Sequence, residues 1–466
     1  MHTTLSIAPR SGRRVLAQAG LALATLTLSI AAAYAAPTFE QTDTDFKGSV
    51  WSSGALPGSE AKLMGRAFTP GQKVTLYRAG QALNNGEVYT VNEKGGFEAT
   101  VAIPADATPG LHPVVASAAN PTAAALFDLK VSSKLPLSGQ DAFTVTSEKL
   151  VQGLYQSAYS PKSDRIFVTS AVGRPPVKES QLLKLNAKTL ATEAKVSAAK
   201  VPTRDDGHTF AMYGVATDDT HGNVWATNTR DNTVAVYKQS DLKLVKQFPA
   251  GLAPHARDVV VDEKLNKAYV STPGKSWIVV FDTKKLAHKT NIAIESDEDK
   301  SFSTMSLALD DVNHKLYTVS GATREAAVID TKTDKVERVI RVPGIKGGAG
   351  IAVDGKGKRL YVVAQGSDNL VIIDLESGKP LHTVAVGAGA LNVAFEPKSG
   401  LAYVVSRGAG TVTAVDANGK IVGNLDGGTF PNHVVSDNKG DVFVINKSKG
   451  ADDAQGDRIS RITPKK

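Results

Sequence analysis

Short β-rich runs separated by polar turns recur along the C-terminal two-thirds of the chain. In the stretch from Lys358 to Lys379, one run ends in a polar turn and the next ends in Asp374 followed by a second turn. A single hairpin of this kind is only marginally stable in water. We therefore expect each hairpin to be part of a larger repeated structure.

Seven copies of this pattern are marked by an aromatic residue that is flanked by β-branched residues. A polar or acidic residue stands seven positions before each aromatic, and in most copies it follows a short apolar run. The intervals between the aromatic residues are 58, 44, 48, 44, 42 and 40 residues. The seven aromatic residues are Phe167, Trp225, Tyr269, Tyr317, Tyr361, Tyr403 and Phe443.

Repeats of four strands in this length range are typical of β-propeller blades. A single blade cannot cover its own apolar faces, so neighbouring blades must cover them. The run Ala142 to Leu150 is predicted to pair with Arg458 to Thr463 and to close the ring, which removes the exposed sheet edges. We predict seven blades over residues 142–466, and six or eight blades stay open.

An earlier segment predicts a separate small sandwich over residues 54–134, with a linker at 135–141. Polar and apolar residues alternate from Lys73 to Tyr77 and from Phe97 to Ile103, and Pro-Gly pairs separate the runs. Short strands with turns at this spacing are typical of an all-β sandwich. The motifs at Gly65 to Leu76, Gly96 to Phe97 and Pro104 to His112 resemble those of bacterial immunoglobulin-like domains.

The first 35 residues have the pattern of an export signal. Three arginines precede the apolar run Val15 to Ala32, and Ala33-Tyr34-Ala35 is a site that a signal peptidase could cleave. Residues 36–53 are then expected to be a linker, and no later segment is apolar enough to span a bilayer. We expect a soluble monomer that is periplasmic or secreted.

Composition excludes several kinds of chemistry. The chain has no cysteine, which rules out disulfides, cysteine-ligated metals, thiol catalysis and a lipid anchor of the lipoprotein type. Without the three signal-region arginines, 51 basic residues face 46 acidic ones. An excess this small does not by itself indicate a nucleic-acid-binding protein.

The repeats resemble a known family. The runs "AYVS", "LYVVA" and "AYVVS", followed by "VIID" or "TAVD", are similar to YVTN-repeat propellers, and the plan of the domain resembles the YncE-like periplasmic propellers. The stretch "HARDVVVDE" and the stretch "FPNHVVSDNKGDVFVINKS" are specific points of this resemblance. Single-domain members of the resembled family lack this sandwich, so a partner of theirs cannot be assigned to this chain.

Propellers bind ligands at the mouth of the central channel, so a residue's position in the repeat predicts whether it lies there. We expect the mouth to contain the residues that precede or begin the innermost strands. These are His208, Tyr213, His255, Arg257, Asn392, Asn432 and His433. Imidazole could ligate zinc, copper or iron, but these histidines come from separate blades and form no metal-binding motif.

Cations follow the second strand in six of the seven copies. They are Arg174, Arg230, Lys275, Arg324, Arg407 and Lys447. If the repeat places them on one face, they form a ring that attracts anions such as phosphates, carboxylates or an acidic peptide. Acidic neighbours of several of these cations favour the alternative that they are ordinary surface residues.

These observations favour a non-enzymatic binding or scaffold protein of the cell envelope that holds a partner protein or a small anionic ligand at the mouth. We predict no catalytic residue, no metal and no cofactor. Two alternatives stay open. One is a metal-dependent lactonase-like hydrolase, since propellers also carry enzymes. The other, not favoured, is single-stranded nucleic-acid binding through the loop cations and aromatic residues such as Tyr213.

Overall fold

The chain forms two β-rich units in sequence. The computed structural model describes residue 39 and residues 41–465, and the predicted signal peptide lies outside the described residues. The first unit consists of two small sheets around one core, and the second consists of seven four-stranded antiparallel sheets. The prediction of an all-β propeller fold is confirmed. Among the described residues, helices are short and none could cross a membrane.

The first unit packs two sheets of alternating buried and exposed positions against each other. One sheet has the order β1-β2-β6 and the other has the order β4-β3-β7-β8, with β5 paired to β3. Its strands are β1 Ser49–Ser52, β2 Glu60–Arg66, β3 Lys73–Arg78, β4 Gln81–Ala82, β5 Val88–Thr90, β6 Phe97–Ala102, β7 Gly110–Ala119 and β8 Ala123–Val131, with a 3-10 turn at Asn84–Gly86. Strand β1 pairs with β2 and lies in the stretch expected to be a linker, so the unit begins before residue 54. Its assignment as immunoglobulin-like stays a prediction.

The second unit follows the repeat. After the 3-10 turn Gln140–Ala142 come β9 Phe143–Lys149; β10 Leu154–Ser160, β11 Arg165–Ala171, β12 Ser180–Asn186, β13 Thr192–Ser197; β14 Met212–Asp218, β15 Asn223–Asn228, β16 Thr233–Lys238, β17 Leu244–Gln247; β18 Val259–Asp262, β19 Lys267–Ser271, β20 Trp277–Asp282, β21 Ala287–Ala293. A third 3-10 turn, Thr229–Asp231, joins β15 to β16.

The remaining strands are β22 Thr304–Asp310, β23 Lys315–Ser320, β24 Glu325–Asp330, β25 Lys335–Arg341; β26 Gly348–Asp354, β27 Arg359–Ala364, β28 Asn369–Asp374, β29 Pro380–Ala385; β30 Ala390–Glu396, β31 Leu401–Ser406, β32 Thr411–Val415, β33 Ile421–Asp426; β34 Pro431–Ser436, β35 Val442–Asn446 and β36 Arg458–Pro464. Each group of four is one sheet, and we number these sheets as blades 1 to 6. Blade 7 has the order β34-β35-β36-β9.

Blade 7 closes the ring with strands from both ends of the unit. Strand β36 pairs with β9 in antiparallel register from Arg458 opposite Lys149 to Pro464 opposite Phe143, which confirms the predicted pairing. The innermost strands of consecutive blades contact one another around the ring, including β10 with β34. Every blade of the ring therefore contacts one blade on each side.

Burial falls from the second strand of each blade to the fourth. Strand β27 is buried at nearly every position, because a neighbouring blade covers each of its faces, whereas β29 is mostly exposed. The repeated aromatic residue lies in this buried strand and reaches the next blade. The Tyr361 ring of blade 5 stacks on Phe395 of blade 6 with centroids 5.4 Å apart.

The acidic residue that precedes five of the seven aromatics has a structural role. The side chain of Asp354 accepts a hydrogen bond from the backbone N–H of Gly357 at 2.8 Å, and Asp262 and Glu396 bond the residue three positions later in the same way. Asp and Glu at this position therefore cap the turn between the first and second strands. The repeat thus uses these carboxylates for folding and does not gather them at one site.

We predict opposite effects for two substitutions of Tyr361. Its ring is fully buried between blades, so Tyr361→Ala should lower the free energy of unfolding by about 3–5 kcal/mol. Its hydroxyl is buried without a hydrogen-bond partner among the described residues, so Tyr361→Phe should leave stability unchanged or raise it slightly. Denaturant unfolding of the two variants measures both effects. Equal losses in both variants would contradict the predicted role of the ring.

Candidate functional site

A cavity of about 340 Å³ occupies one mouth of the central channel. Residues at the start of the innermost strands line its floor, and loops that follow the second strands form its wall. The structure brings together eight of the twelve predicted residues here, namely Tyr213, Arg230, His255, Arg257, Asn392, Arg407, Asn432 and His433. Sequence reasoning missed Tyr155 and Gln156, which begin the first strand of blade 1 and lie on the same floor.

Close contact between blades sets the position of two of these residues. A Cβ at Gly214 would lie 2.2 Å from the carbonyl oxygen of Arg257, and a Cβ at Gly350 would lie 2.7 Å from the Cα of Asn392. Glycine is therefore required in the innermost strands of blades 2 and 5 for the following blade to come this near. The carbonyl of Arg257 also accepts a hydrogen bond from the Thr227 hydroxyl at 3.1 Å.

Three arginines give the mouth its positive charge. The Nε of Arg230 donates to the Tyr213 hydroxyl at 3.2 Å, and a guanidinium nitrogen of Arg407 donates to Oδ1 of Asn432 at 2.8 Å. The Nε of Arg257 is buried and has no hydrogen-bond partner in the described part of the chain. None of the three forms an ion pair with a described carboxylate. Burial lowers the pKa of Arg257 and of Arg407, so their positive charge is poorly solvated.

One buried carboxylate lies just inside the mouth. The Oδ2 of Asp258 accepts the backbone N–H of Leu307 at 2.9 Å, and its Oδ1 accepts the N–H of Val259 at 3.0 Å. Burial raises the pKa of Asp258, while these bonds and Arg257 oppose that rise. Asp258 directly follows Arg257 in "HARDVVVDE", and this adjacency is the sequence signal for a carboxylate beside the mouth.

His433 and Asn392 lie where the mouth meets the rest of the channel, because both also line a second cavity of about 380 Å³ along the axis. The Nδ1 of His433 accepts the backbone N–H of Ser157 at 3.3 Å, so the ring carries its proton on Nε2. Burial, and to a smaller extent Arg257, lower the pKa of His433 to about 3. The imidazole is therefore a neutral hydrogen-bond donor at this narrowing.

An aromatic pair covered by a lysine forms another part of the mouth. The rings of Tyr155 and Tyr213 meet edge to face with centroids 3.7 Å apart. The Nζ of Lys447 lies 3.6 Å from the centre of the Tyr155 ring. Burial, followed by the nearby charge of Arg407, lowers the pKa of Lys447 to about 7, so this amine changes its charge near neutral pH.

His208 does not lie in the mouth, contrary to expectation. It is fully buried, its Nδ1 accepts the backbone N–H of Val177 at 2.7 Å, and its Nε2 bonds Asp231 at 3.1 Å. The loop with Pro175 and Pro176 packs on the connection between β13 and β14 and encloses the ring, as the bond from the N–H of Thr209 to the carbonyl of Val177 shows. His208 thus holds two loops together.

Three predicted cations also lie outside the mouth cavity. Arg324 pairs with Glu298 at 3.0 Å, Lys275 lies 5.5 Å from the centre of the Trp277 ring, and Arg174 is exposed in its loop. Of the six cations that follow second strands, Arg230 and Arg407 line the mouth cavity, while Arg324 and Lys275 have local acidic and aromatic partners. The positive charge is concentrated on one side, at blades 2, 3, 6 and 7.

The three candidate histidines do not converge. His208 is buried between loops, His255 lies at the exposed rim and His433 lies on the axis. In residues 39 and 41–465, no group of three His, Cys, Asp or Glu side chains is arranged to hold a metal ion. The site can therefore offer guanidinium, amide, phenol and neutral imidazole groups to a ligand.

Comparisons with known proteins agree with the fold. No family model matches the chain. A protein named uncharacterized protein YncE from Salmonella typhimurium is 26% identical over 332 residues, which cover 67% of this chain and 88% of the relative. This similarity confirms the predicted resemblance to YncE-like propellers.

Solved structures show the same architecture at low identity. Virginiamycin B lyase from Staphylococcus aureus superposes with a TM-score of 0.53 at 14% identity, covering 69% of this chain and 99% of the lyase. The WD40 repeats of RRP9 give a TM-score of 0.56 at 11% identity, covering 71% and 100% of the two chains. These likenesses establish the fold alone.

We predict that His433 makes stability depend on pH. Its folded pKa of about 3 is below the ordinary value of 6.5, so the unfolded chain binds the proton more readily. The protein should lose stability as the pH falls below about 6.5, down to the folded pKa. In His433→Gln this loss should be smaller, and unfolding in denaturant at a series of pH values measures the difference. His288→Gln, at an exposed outer strand, is the control, and a His433→Gln profile parallel to wild type would refute the assignment.

Proposed function

We propose that this YncE-like β-propeller protein is a non-enzymatic binding protein that holds an anionic ligand in the mouth of its central channel. The observation that carries the proposal is the group of three arginines, Arg230, Arg257 and Arg407, without a carboxylate partner within 4.0 Å among the described residues. Arg257 and Arg407 are half-buried, where an unpaired charge is costly, and Arg230 lies exposed at the rim. An anion that binds between these side chains would supply the missing partner.

The other groups of the mouth suit the same ligand. Hydrogen bonds between guanidinium groups and phosphate or carboxylate oxygens are short and strong. The neutral ring of His433 can add a donor without adding charge. A volume of about 340 Å³ accommodates a small ligand, or one charged group at the end of a larger partner.

A catalytic role has less support. The pKa of His433, about 3, makes it a poor base near neutral pH. The repeated acidic residues cap turns, and Asp258 is bonded to two backbone N–H groups. Virginiamycin B lyase shows that an enzyme can have this fold. A lactonase-like activity would appear as turnover of lactones together with a stoichiometric metal in purified protein, and either finding would replace the binding proposal.

Single-stranded nucleic acid is the second candidate, because cations and aromatic rings lie side by side in the mouth. Such proteins stack bases on exposed aromatic faces. Here Lys447 covers one face of Tyr155, and Tyr155 and Tyr213 meet edge to face. Few ring faces are left for bases, so the geometry favours a compact anion over a nucleic-acid strand.

We also propose that the protein acts as a monomer outside the cytoplasm. The support for export is the signal-like sequence of residues 1–35, with its basic start, apolar run and small-residue site. Fractionation of cells that express the full chain would find mature protein in the periplasm or the medium. Unprocessed protein in the cytoplasm would oppose this part of the proposal.

We predict that citrate and inorganic phosphate bind to the wild-type protein and that Arg407→Gln weakens binding about 10-fold to 100-fold. A hydrogen bond to a charged group contributes about 1.5–3 kcal/mol, which corresponds to this range. Glutamine can keep the bond to Asn432 while it removes the charge. Isothermal titration calorimetry measures the affinities, and Arg324→Gln is the matched control because Arg324 is paired with Glu298 outside the mouth.

The same titrations decide between the candidates. Binding of both anions that is lost in Arg407→Gln and kept in Arg324→Gln supports the proposal. An oligothymidylate that binds much more tightly than either anion, with affinity that falls steeply as salt rises, would instead favour nucleic acid. If none of the three probes binds, the proposed function is wrong.

A further inference from the structure

A third cavity, of about 960 Å³, lies between the sandwich and the propeller. Arg407 and Gln365 line both this cavity and the mouth of the channel. The two spaces are thus neighbours that share a wall, and a ligand long enough to fill the interdomain cleft can place one end in the mouth. The cleft is defined here by Leu56, Leu135, Leu137, Arg407, Ala409 and Phe430.

A buried polar contact fixes the sandwich beside the mouth. The carboxylate of Asp368 accepts hydrogen bonds from the Lys130 amine at 2.9 Å and from the Ser132 hydroxyl at 2.5 Å. It also accepts the backbone N–H of Gly389 at 2.6 Å. Ser132 and Asp368 are both buried, so breaking this contact would leave the carboxylate with the Gly389 N–H as its one described partner. The cleft therefore lies between a sandwich and a propeller that this contact holds together.

The walls of the cleft are largely apolar. Leu137 is 48% exposed and Leu56 is 36% exposed, which is unusual for leucine side chains at the junction of two units. Phe430 and the small residue Ala409 face them across the cavity wall. The guanidinium of Arg407 lies 5.4 Å from the centre of the Phe430 ring at the shared end. An occupant thus meets the apolar surface of these leucines and Phe430, the charge of Arg407 at the shared end, and the further charged residues Lys130, Lys134 and Asp426 of the lining.

The connecting segment 133–137 shows what kind of occupant fits. It has no regular secondary structure, it lines the cleft, and it is held at its far end by Asn424, whose Nδ2 donates to the carbonyls of Leu135 and Pro136 at 3.2 and 3.1 Å. The backbone N–H groups of Ser133, Lys134, Leu135 and Leu137 have no partner among the described residues. These donors can bond the backbone carbonyls of a polypeptide that lies along the segment.

We propose that the interdomain cleft binds the extended C-terminal end of a partner polypeptide. The partner's terminal carboxylate lies on Arg407, its backbone pairs with residues 133–137, and its apolar side chains contact Leu56, Leu135 and Leu137. Five extended residues span roughly 16 Å, so about five residues of the partner are held. The inference rests on the proposed function, because Arg407 belongs to the mouth as well as to the cleft.

The backbone groups distinguish a peptide from an acyl chain. A fatty acid would satisfy Arg407 and the leucines, but it offers no partner to the free N–H groups of the connecting segment. A peptide offers carbonyl acceptors at the spacing of a strand. A carboxylate at the end of the chain, rather than on a side chain, lets the backbone continue straight from Arg407 into the cleft.

The test uses a fluorescein-labelled hexapeptide of alternating threonine and leucine with a free C-terminal carboxylate, titrated into the full mature chain by fluorescence anisotropy. We expect binding that weakens about tenfold or more when the peptide carries a C-terminal amide. Methylation of two of its backbone nitrogens should also weaken binding, because it blocks strand pairing.

Leu137→Asp should weaken binding of the hexapeptide and leave binding of citrate and phosphate unchanged. Val312→Asp is the matched control, since Val312 is 72% exposed on a turn far along the chain from the cleft residues. Thermal unfolding of both variants shows whether each remains folded. Because Leu137 is exposed, the substitution removes contact surface without disturbing a core.

Each outcome decides a different point. If citrate binds through Arg407 but the hexapeptide is indifferent to amidation and to Leu137→Asp, this inference is overturned and the proposed function stands. If laurate displaces the hexapeptide and N-methylation has no effect, the occupant is an acyl chain and the inference is wrong. If neither the peptide nor the small anions bind, both proposals fail.

Discussion

The packing of one blade on the next is the constraint from which the rest of the structure follows. Each second strand is buried on both faces, and its aromatic ring reaches the neighbouring blade, as Tyr361 does on Phe395. No blade can cover this apolar surface alone, so the blades are stable only as a closed ring. Closure requires β9 and β36 to pair across the two ends of the unit. The central channel is thus a consequence of how the apolar faces are buried.

The same packing decides which polar groups remain available in the channel. The repeated acidic residues cap the turns between the first and second strands, as Asp354 does for Gly357. Glycines such as Gly214 and Gly350 allow the innermost strands to approach closely, so little room is left for long side chains along the axis. The arginines lie where the strands begin and the channel opens. A mouth that is positive, with carboxylates engaged elsewhere, results from this division of roles.

The fold was predictable from sequence because its determinants are local and repeated. The spacing of the aromatic residues identified the blades, and alternation within Ala142 to Leu150 was enough to predict the strand that closes blade 7. The site was harder to predict from the sequence, because contacts between distant segments decide which residues belong to it. His208 stands in the expected place of the repeat, yet a hydrogen bond from Val177 of another loop buries it. Tyr155 and Lys447 come from opposite ends of the propeller and meet only because the ring closes.

The sandwich changes the surroundings of the channel mouth. Arg407 lines both the channel mouth and the cavity beside the sandwich, and its described contacts with Asn432 and Phe430 lie within the propeller. Here the contacts of Lys130 and Ser132 with Asp368 hold a second wall beside Arg407, and burial lowers the pKa of that arginine. A positive group with apolar surface around it attracts an anion more strongly, because less water competes for its donors. The added unit therefore does more than extend the chain, since it adds apolar surface to the cavity that Arg407 shares with the channel mouth.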